Sequence, residues 1–201
     1  KIGAANGTIT KHLSGIRAPI IRAVELAWIT EDAMKGVKVS TRGKALVKTK
    51  NWDVADFKRL FAQDIPKQEL MLFQLLSVTG FRLEEGAALE WADIKISENG
   101  VYYFDLNALN KILKTDNAMR NVPIHHQLVP LLDAYGEAVG RSGRLFNYSK
   151  GQDGKCVKAA TKKLTPYLIA ARNENGMKVK HIKTHGLRGT FTSACYKVGM
   201  P

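Results

Sequence analysis

An apolar repeat of helical spacing, broken at intervals by proline and glycine, runs through most of this 201-residue chain. In residues 8–29, "TITKHLSGIRAPIIRAVELAWI", apolar side chains fall at Ile9, Leu13, Ile16, Ile20, Val24 and Ala27. That spacing places them on one face of a helix, with Pro19 marking a bend or join. Lys11, Arg17 and Arg22 lie largely off the stripe. Thr30, Glu31 and Asp32 have the chemistry of a cap and first turn, so a short helix ending near Gly36 is expected. The next stretch, "VKVSTRGKALVKTKN", is basic and has no helical period. It reads as a linker after a helical piece too small to hold its own core.

From Trp52 the helical pattern resumes. "DVADFKRLFAQ" opens on an aspartate cap, and "PKQELMLFQLLSVTG" is framed by Pro66 and Gly80. A short helix is expected in "RLEEGAALEW". "GVYYFDL" alternates and is aromatic, as a strand does. "NKILKTDNAMRNVPI" reads as strand, polar turn, strand, with the turn at "TDNA". Helices follow in "HQLVPLLDAYGEAVG" and "KCVKAATKKLTPYLIAARNENG", and another begins near Thr184 or His185. The expected fold class is therefore mainly α with a small antiparallel β-sheet. The run after Arg188, which includes Tyr196, alternates small and apolar residues and reads as core.

Charge narrows the partners. Residues 1–50 carry 10 basic and 3 acidic side chains, residues 51–140 carry 8 and 13, and residues 141–201 carry 13 and 2. Two basic ends thus flank an acidic middle, within a net charge of +13. A polyanion contacted by both ends fits this pattern, because each Lys or Arg that meets a phosphate releases condensed counterions. No apolar run reaches the length of a membrane span. Cys156 and Cys195 show no metal-ligand spacing. His181 and His185 are four apart, but no third ligand accompanies them, so no metal is expected. No phosphate-binding G-x-x-x-x-G-K-[ST] motif is present.

Three stretches hold candidate chemistry. In "VTGFRLEEGAALEW", Glu85 follows Arg82 by three residues and can hold its guanidinium. In "NKILKTDNAMRNVPI", Lys114 stands at the shoulder of the expected hairpin. In "THGLRGTF", His185 and Arg188 are one helical turn apart near a helix N-terminus, an arrangement suited to phosphate. Each taken alone is more often an ordinary surface pair, a solvated turn lysine or a capping histidine.

In this order and at these separations the stretches resemble the tyrosine recombinase family, the phage integrases. "TGFRLEE", "KTDNAMRNVPI" and "HGLRGTF" are similar to its T-G-x-R-x-x-E, hairpin-lysine-before-R-x-V-P and H-x-L-R motifs. "ALEWADI" and "SGIRAPIIRAVELAWITEDAM" are similar to its L-x-W-x-D-I segment and to the last helix of its DNA-clamping core-binding domain. The resemblance implies three parts: the end of a core-binding domain over 1–36, a basic linker over 37–50, and a catalytic domain over 51–201 that is incomplete at its C-terminus. It implies site-specific recombination of double-stranded DNA through a 3′-phosphotyrosyl intermediate, without metal or other cofactor. Arg82 and Arg188 would clamp the phosphate, Lys114 would protonate the leaving 5′-oxygen, His185 would assist proton transfer, and Glu85 would fix Arg82. Backbone contacts are expected from Lys11, Arg17, Arg22, Lys38, Arg42, Lys44, Lys48, Lys158, Lys162, Lys163, Lys178, Lys180 and Lys183. Self-association on DNA, a cytoplasmic, nucleoid-associated setting and no membrane partner are expected with it.

Gly186 and Gly189 depart from the family pattern, which usually has polar side chains there. None of Tyr102, Tyr103, Tyr135, Tyr148, Tyr167 and Tyr196 matches the position of the family's nucleophile. The 201 residues are therefore expected to bind DNA without cleaving it. The competing expectations are a DNA-binding integrase remnant and an enzyme of the type IB topoisomerase kind.

Overall fold

The computed structural model describes residues 6–38, 51–107, 119–171, 173–174, 177–178 and 183–200, with 173–174 and 177–178 as backbone only. The chain divides into two compact units, Lys1–Lys48 and Thr49–Pro201.

Among its described residues the first unit is helix α1 (Asn6–Glu25), which runs through Pro19, followed by a series of turns. None of the residues of α1 is buried. Residues 30–36, expected to be helical, form bends and turns instead. Asp32 explains the difference. Its Oδ2 accepts from Arg17 Nη2 at 2.7 Å, and its Oδ1 accepts from the Met34 backbone N–H at 2.9 Å. The side chain closes a local turn and ties it to α1 rather than starting a helix.

The second unit is built around α3 (Lys67–Thr79). Met71, Leu72, Phe73, Leu75 and Leu76 are buried on several of its faces, the signature of a helix enclosed by neighbours. It packs against α4 (Leu83–Ala87), α5 (Leu128–Val139) and α7 (Thr184–Lys197). Before it comes α2 (Val54–Phe61), opened by a reciprocal capping box between Asp53 and Asp56. Gly80 ends α3 with φ +63°, a left-handed conformation that glycine adopts without steric penalty. Gly86 of α4 lies against Leu72, Leu75 and Leu76, so the missing side chain lets α4 approach α3 closely.

A short 3-10 turn (Trp91–Asp93) leads into the sheet, which has the order β1 (Ile94–Ile96), β2 (Tyr102–Asp105), β3 (Asn121–Pro123), all antiparallel. The register pairs Ile94 with Phe104 and Phe104 with Val122. Phe104 is fully buried and meets Phe81 edge-on at 5.5 Å. The expected hairpin turn and Lys114 lie outside the described residues. β1 carried no clear alternation in sequence; three residues are too short to show a period.

Helix α6 (Val157–Ala171) starts where Glu84 of α4 caps it. Glu84 Oε1 accepts from the Cys156 N–H at 3.0 Å and Oε2 from the Val157 N–H at 2.6 Å. A carboxylate there satisfies orphan donors and complements the helix dipole. The backbone after α6 forms a minimal antiparallel pair, β4 (Asn173–Glu174) with β5 (Met177–Lys178).

The run after Arg188, expected to be core, is half-buried to exposed. In α7 only Gly186 and Leu187 are buried, and Tyr196 is 70% exposed. Small residues with an occasional apolar one give the same pattern in a buried helix and in a half-covered one, which is why the sequence misled here.

Glu84→Ala should lower stability by about 1–2 kcal/mol, the usual cost of a lost N-cap. Urea denaturation followed by circular dichroism measures it, and the loss should leave α2 and its own cap unaffected.

Candidate phosphate-binding site

The site forms where α3 hands over to α4 and where α7 begins. Arg82 is the N-cap of α4, with extended backbone at φ −67° and ψ 150°, one position earlier than a place in the first turn. The left-handed Gly80 turns the chain so that Phe81 enters the core while the Arg82 side chain stays 48% exposed.

Glu85 organises this corner. Its Oε1 accepts from Arg82 Nη1 at 2.7 Å, and its Oε2 accepts from the Arg82 backbone N–H at 2.9 Å. Arg120 Nη2 donates to the same Oε2 at 3.0 Å. The Glu85 side chain is only 5% exposed. Burial pushes its carboxyl up, but the hydrogen bonds from Arg120 and from the Arg82 backbone and side chain outweigh it, and the group sits below its ordinary value.

Arg188 approaches from α7. Its Nη1 donates to the carbonyl oxygen of Gly80, two residues before Arg82. Burial lowers its pKa, and the charges of Arg82 and Arg120 push the same way while Glu85 opposes them. Arginine nonetheless stays charged at neutral pH. Three guanidiniums thus share one electrostatic neighbourhood with one carboxylate, a local excess of positive charge suited to an oxyanion.

His185 lies one turn before Arg188 on α7 and is exposed. The start of α7 is held by the beginning of the second unit. Trp52 Nε1 donates to the Lys183 carbonyl at 3.1 Å, the Trp52 N–H to Thr190 Oγ1 at 2.6 Å, and Asn51 Nδ2 to Ser193 Oγ at 2.8 Å. These contacts also account for Gly189: a Cβ there would collide with Oδ1 of Asn51. A Cβ on Gly80 would collide with the ring of Phe191, so both glycines mark where α7 is pressed against earlier parts of the chain.

Arg82, Glu85 and Arg188 are therefore brought together, with His185 on the adjoining turn. Lys114 lies outside the described residues, as do Arg42, Lys44, Lys48, Lys180 and His181. Lys158, Lys162 and Lys163 are exposed on α6, and Lys183 is exposed at the N-cap of α7. Lys178 lies in β5. In the first unit Lys11, Arg17, Arg22 and Lys38 are exposed, with Arg17 paired to Asp32 and Arg22 to Glu25. Sequence reasoning gave no role to Arg120, although it is the arginine of "RNVP". Among the described residues no group of His, Cys, Asp and Glu could hold a metal ion, and no helix is long and apolar enough to cross a membrane.

The model of the phage integrase family matches residues 53–201. The chain belongs to the phage integrase family. Its fold is similar to that of several solved integrases. The integrase of the Tn1549 transposon, in complex with a circular intermediate DNA, is 15% identical with a TM-score of 0.74, over 99% of this chain and 69% of that one. A lambda integrase dimer bound to a COC′ core site gives 14% and 0.65, over 98% and 72%. The integrase of mycobacterium phage Brujita gives 16% and 0.53, over 98% and 60%. At these identities the likeness is one of fold. No curated protein matches the chain.

The lowered Glu85 pKa sets a pH dependence for this integrase-family domain. A group depressed in the folded state contributes fully above its unfolded value, here about 4.5, and loses that contribution as pH falls through the lower folded value. Glu85→Gln should cost about 2–4 kcal/mol at neutral pH. Its melting temperature should then fall less than the wild type's between about pH 5 and pH 3, as read by scanning calorimetry.

Proposed function

We propose that this chain is the DNA-binding and phosphate-activating part of a site-specific recombinase that cuts and rejoins double-stranded DNA. The observation that carries the reading is the convergence of Arg82 and Arg188: the Arg188 guanidinium is anchored on Gly80 at the turn that presents Arg82. A phosphodiester under attack develops negative charge on its non-bridging oxygens, and two preorganised guanidiniums stabilise it.

In the reaction a tyrosine hydroxyl attacks phosphorus, the bond to the 5′-oxygen breaks, and a 3′-phosphotyrosyl ester forms. Lys114 gives its proton to the leaving 5′-oxygen, and His185 orients the phosphate and assists proton transfer. Glu85 holds Arg82 in place. The phosphodiester energy is kept in the ester, so attack by a 5′-hydroxyl reverses the chemistry without a cofactor. The exposed lysines of α6 and Lys183 contact the DNA backbone, as do Lys178 and Lys180. Residues 1–36 serve as the last part of a DNA-clamping domain, and 37–50 as the basic connection along the phosphates. The lambda integrase bound to DNA as a dimer and as a tetramer supports self-association on DNA here as well.

Placement of Tyr135, Tyr148 and Tyr196 favours a chain that binds without cutting. Tyr135 and Tyr148 are buried in the core, and burial raises both hydroxyls above their ordinary value. Tyr196 lies eight residues beyond Arg188 on α7, about 12 Å further along the helix axis. In this reading Tyr135, Tyr148 and Tyr196 are bystanders rather than the attacking tyrosine.

Affinity of the 201-residue chain for duplex DNA should fall about 10³-fold between 50 and 200 mM salt, measured by fluorescence anisotropy; a flat response contradicts the clamp. On a nicked suicide duplex the same chain should form no covalent adduct. An adduct that Tyr196→Phe abolishes would overturn the assignment of Tyr196 as a bystander.

A further inference from the structure

Glu85 offers one carboxylate to two arginines. Oε1 takes Arg82 Nη1, while Oε2 takes Arg120 Nη2 and the Arg82 backbone N–H. Arg82 thus meets the carboxylate through one guanidinium nitrogen, and its side chain remains close to half exposed. A guanidinium and a carboxylate left to themselves favour a two-pronged fork. That fork would engage two Arg82 donors and cancel charge at the point where a phosphate is to sit.

Arg120 is built in to oppose this. Its carbonyl accepts from the Leu106 N–H at 3.0 Å, where the pairing of β2 with β3 continues. Its guanidinium stands 5.7 Å from the ring centroid of Phe81, the neighbour of Arg82 in sequence. Sheet pairing thus fixes the backbone of Arg120, while the Phe81 ring and Glu85 Oε2 guide its side chain.

We propose that Arg120 is a positioning residue: by holding Glu85 Oε2 it keeps the Glu85–Arg82 contact single and leaves the rest of the Arg82 guanidinium open to a DNA phosphate. The inference rests on the phosphate-cradle reading and gives Arg120 no phosphate contact of its own. Arg120 also leads directly into β3, the strand expected to follow the Lys114 hairpin. The same side chain therefore ties the root of that segment to the Arg82 corner.

The test is binding of the 201-residue chain to mixed-sequence duplex DNA over a salt series. Arg120→Gln should weaken binding about fivefold and reduce the salt slope by about one, as Glu85 swings onto Arg82. Arg120→Lys should recover most of the loss, since an ammonium can still hold Oε2. Added to Glu85→Gln, which has no charge to cancel Arg82, Arg120→Gln should cause no further loss. An equal loss in both backgrounds would mean that Arg120 touches phosphate itself, and wild-type binding by Arg120→Gln would mean that it positions nothing; either result overturns the inference. Melting temperatures accompany each variant, and Arg120→Met, which keeps the packing on Phe81, replaces the glutamine if that variant does not fold. Arg82→Ala separates the two levels. If it binds like wild type, the cradle reading itself falls; if it weakens binding while Arg120→Gln does not, only the role of Arg120 falls.

Discussion

The buried carboxylate of Glu85 is the interaction on which the rest of this site depends. Guanidiniums repel one another, and Arg82, Arg120 and Arg188 all act on the same corner. One shielded anion among them lowers the cost of assembling that charge before any substrate arrives. It leaves an excess of positive charge, so the corner is held together but not satisfied. Under the proposed function a DNA phosphate supplies what is missing.

The surrounding fold serves to hold that corner still. α3 sits at the centre of the second unit and ends in the left-handed Gly80, which gives its carbonyl to Arg188 and turns the chain toward Arg82. α4 is short, yet it is fixed at several points: Gly86 lies against α3, Glu84 caps α6, and Glu85 binds the two arginines. α7 is strapped by Asn51 and Trp52 over the turns that carry His185 and Arg188. Positioning by short rigid elements and buried hydrogen bonds is what preorganised electrostatic binding requires.

Much of this was legible in the sequence. The three-residue spacing of Arg82 and Glu85 is a local relation, and local relations survive translation into structure. Pro66 and Gly80 framed α3 for the same reason. The join between Arg188 and Gly80 is not local, and no spacing announces it; the ordered family motifs pointed only to Arg188 acting with Arg82. No local spacing singles out Glu84, because its partners are backbone N–H groups of a helix far along the chain. Arg120 was visible in "RNVP" but acquired meaning only when the sheet register set it beside Glu85. The misreadings have physical causes too. Asp32 used its oxygens on Arg17 and Met34 instead of a helix start, and Tyr196, Val198 and Met200 are exposed rather than in the core.

In the proposed function Arg82 and Arg188 receive one and the same DNA phosphate. A crystal structure of the 201-residue chain on duplex DNA tests it most directly. One phosphate is expected with a non-bridging oxygen within hydrogen-bond distance of each guanidinium, and Glu85 still shared between Arg82 and Arg120. A duplex bound along the exposed lysines, with no phosphate between Arg82 and Arg188, would contradict it.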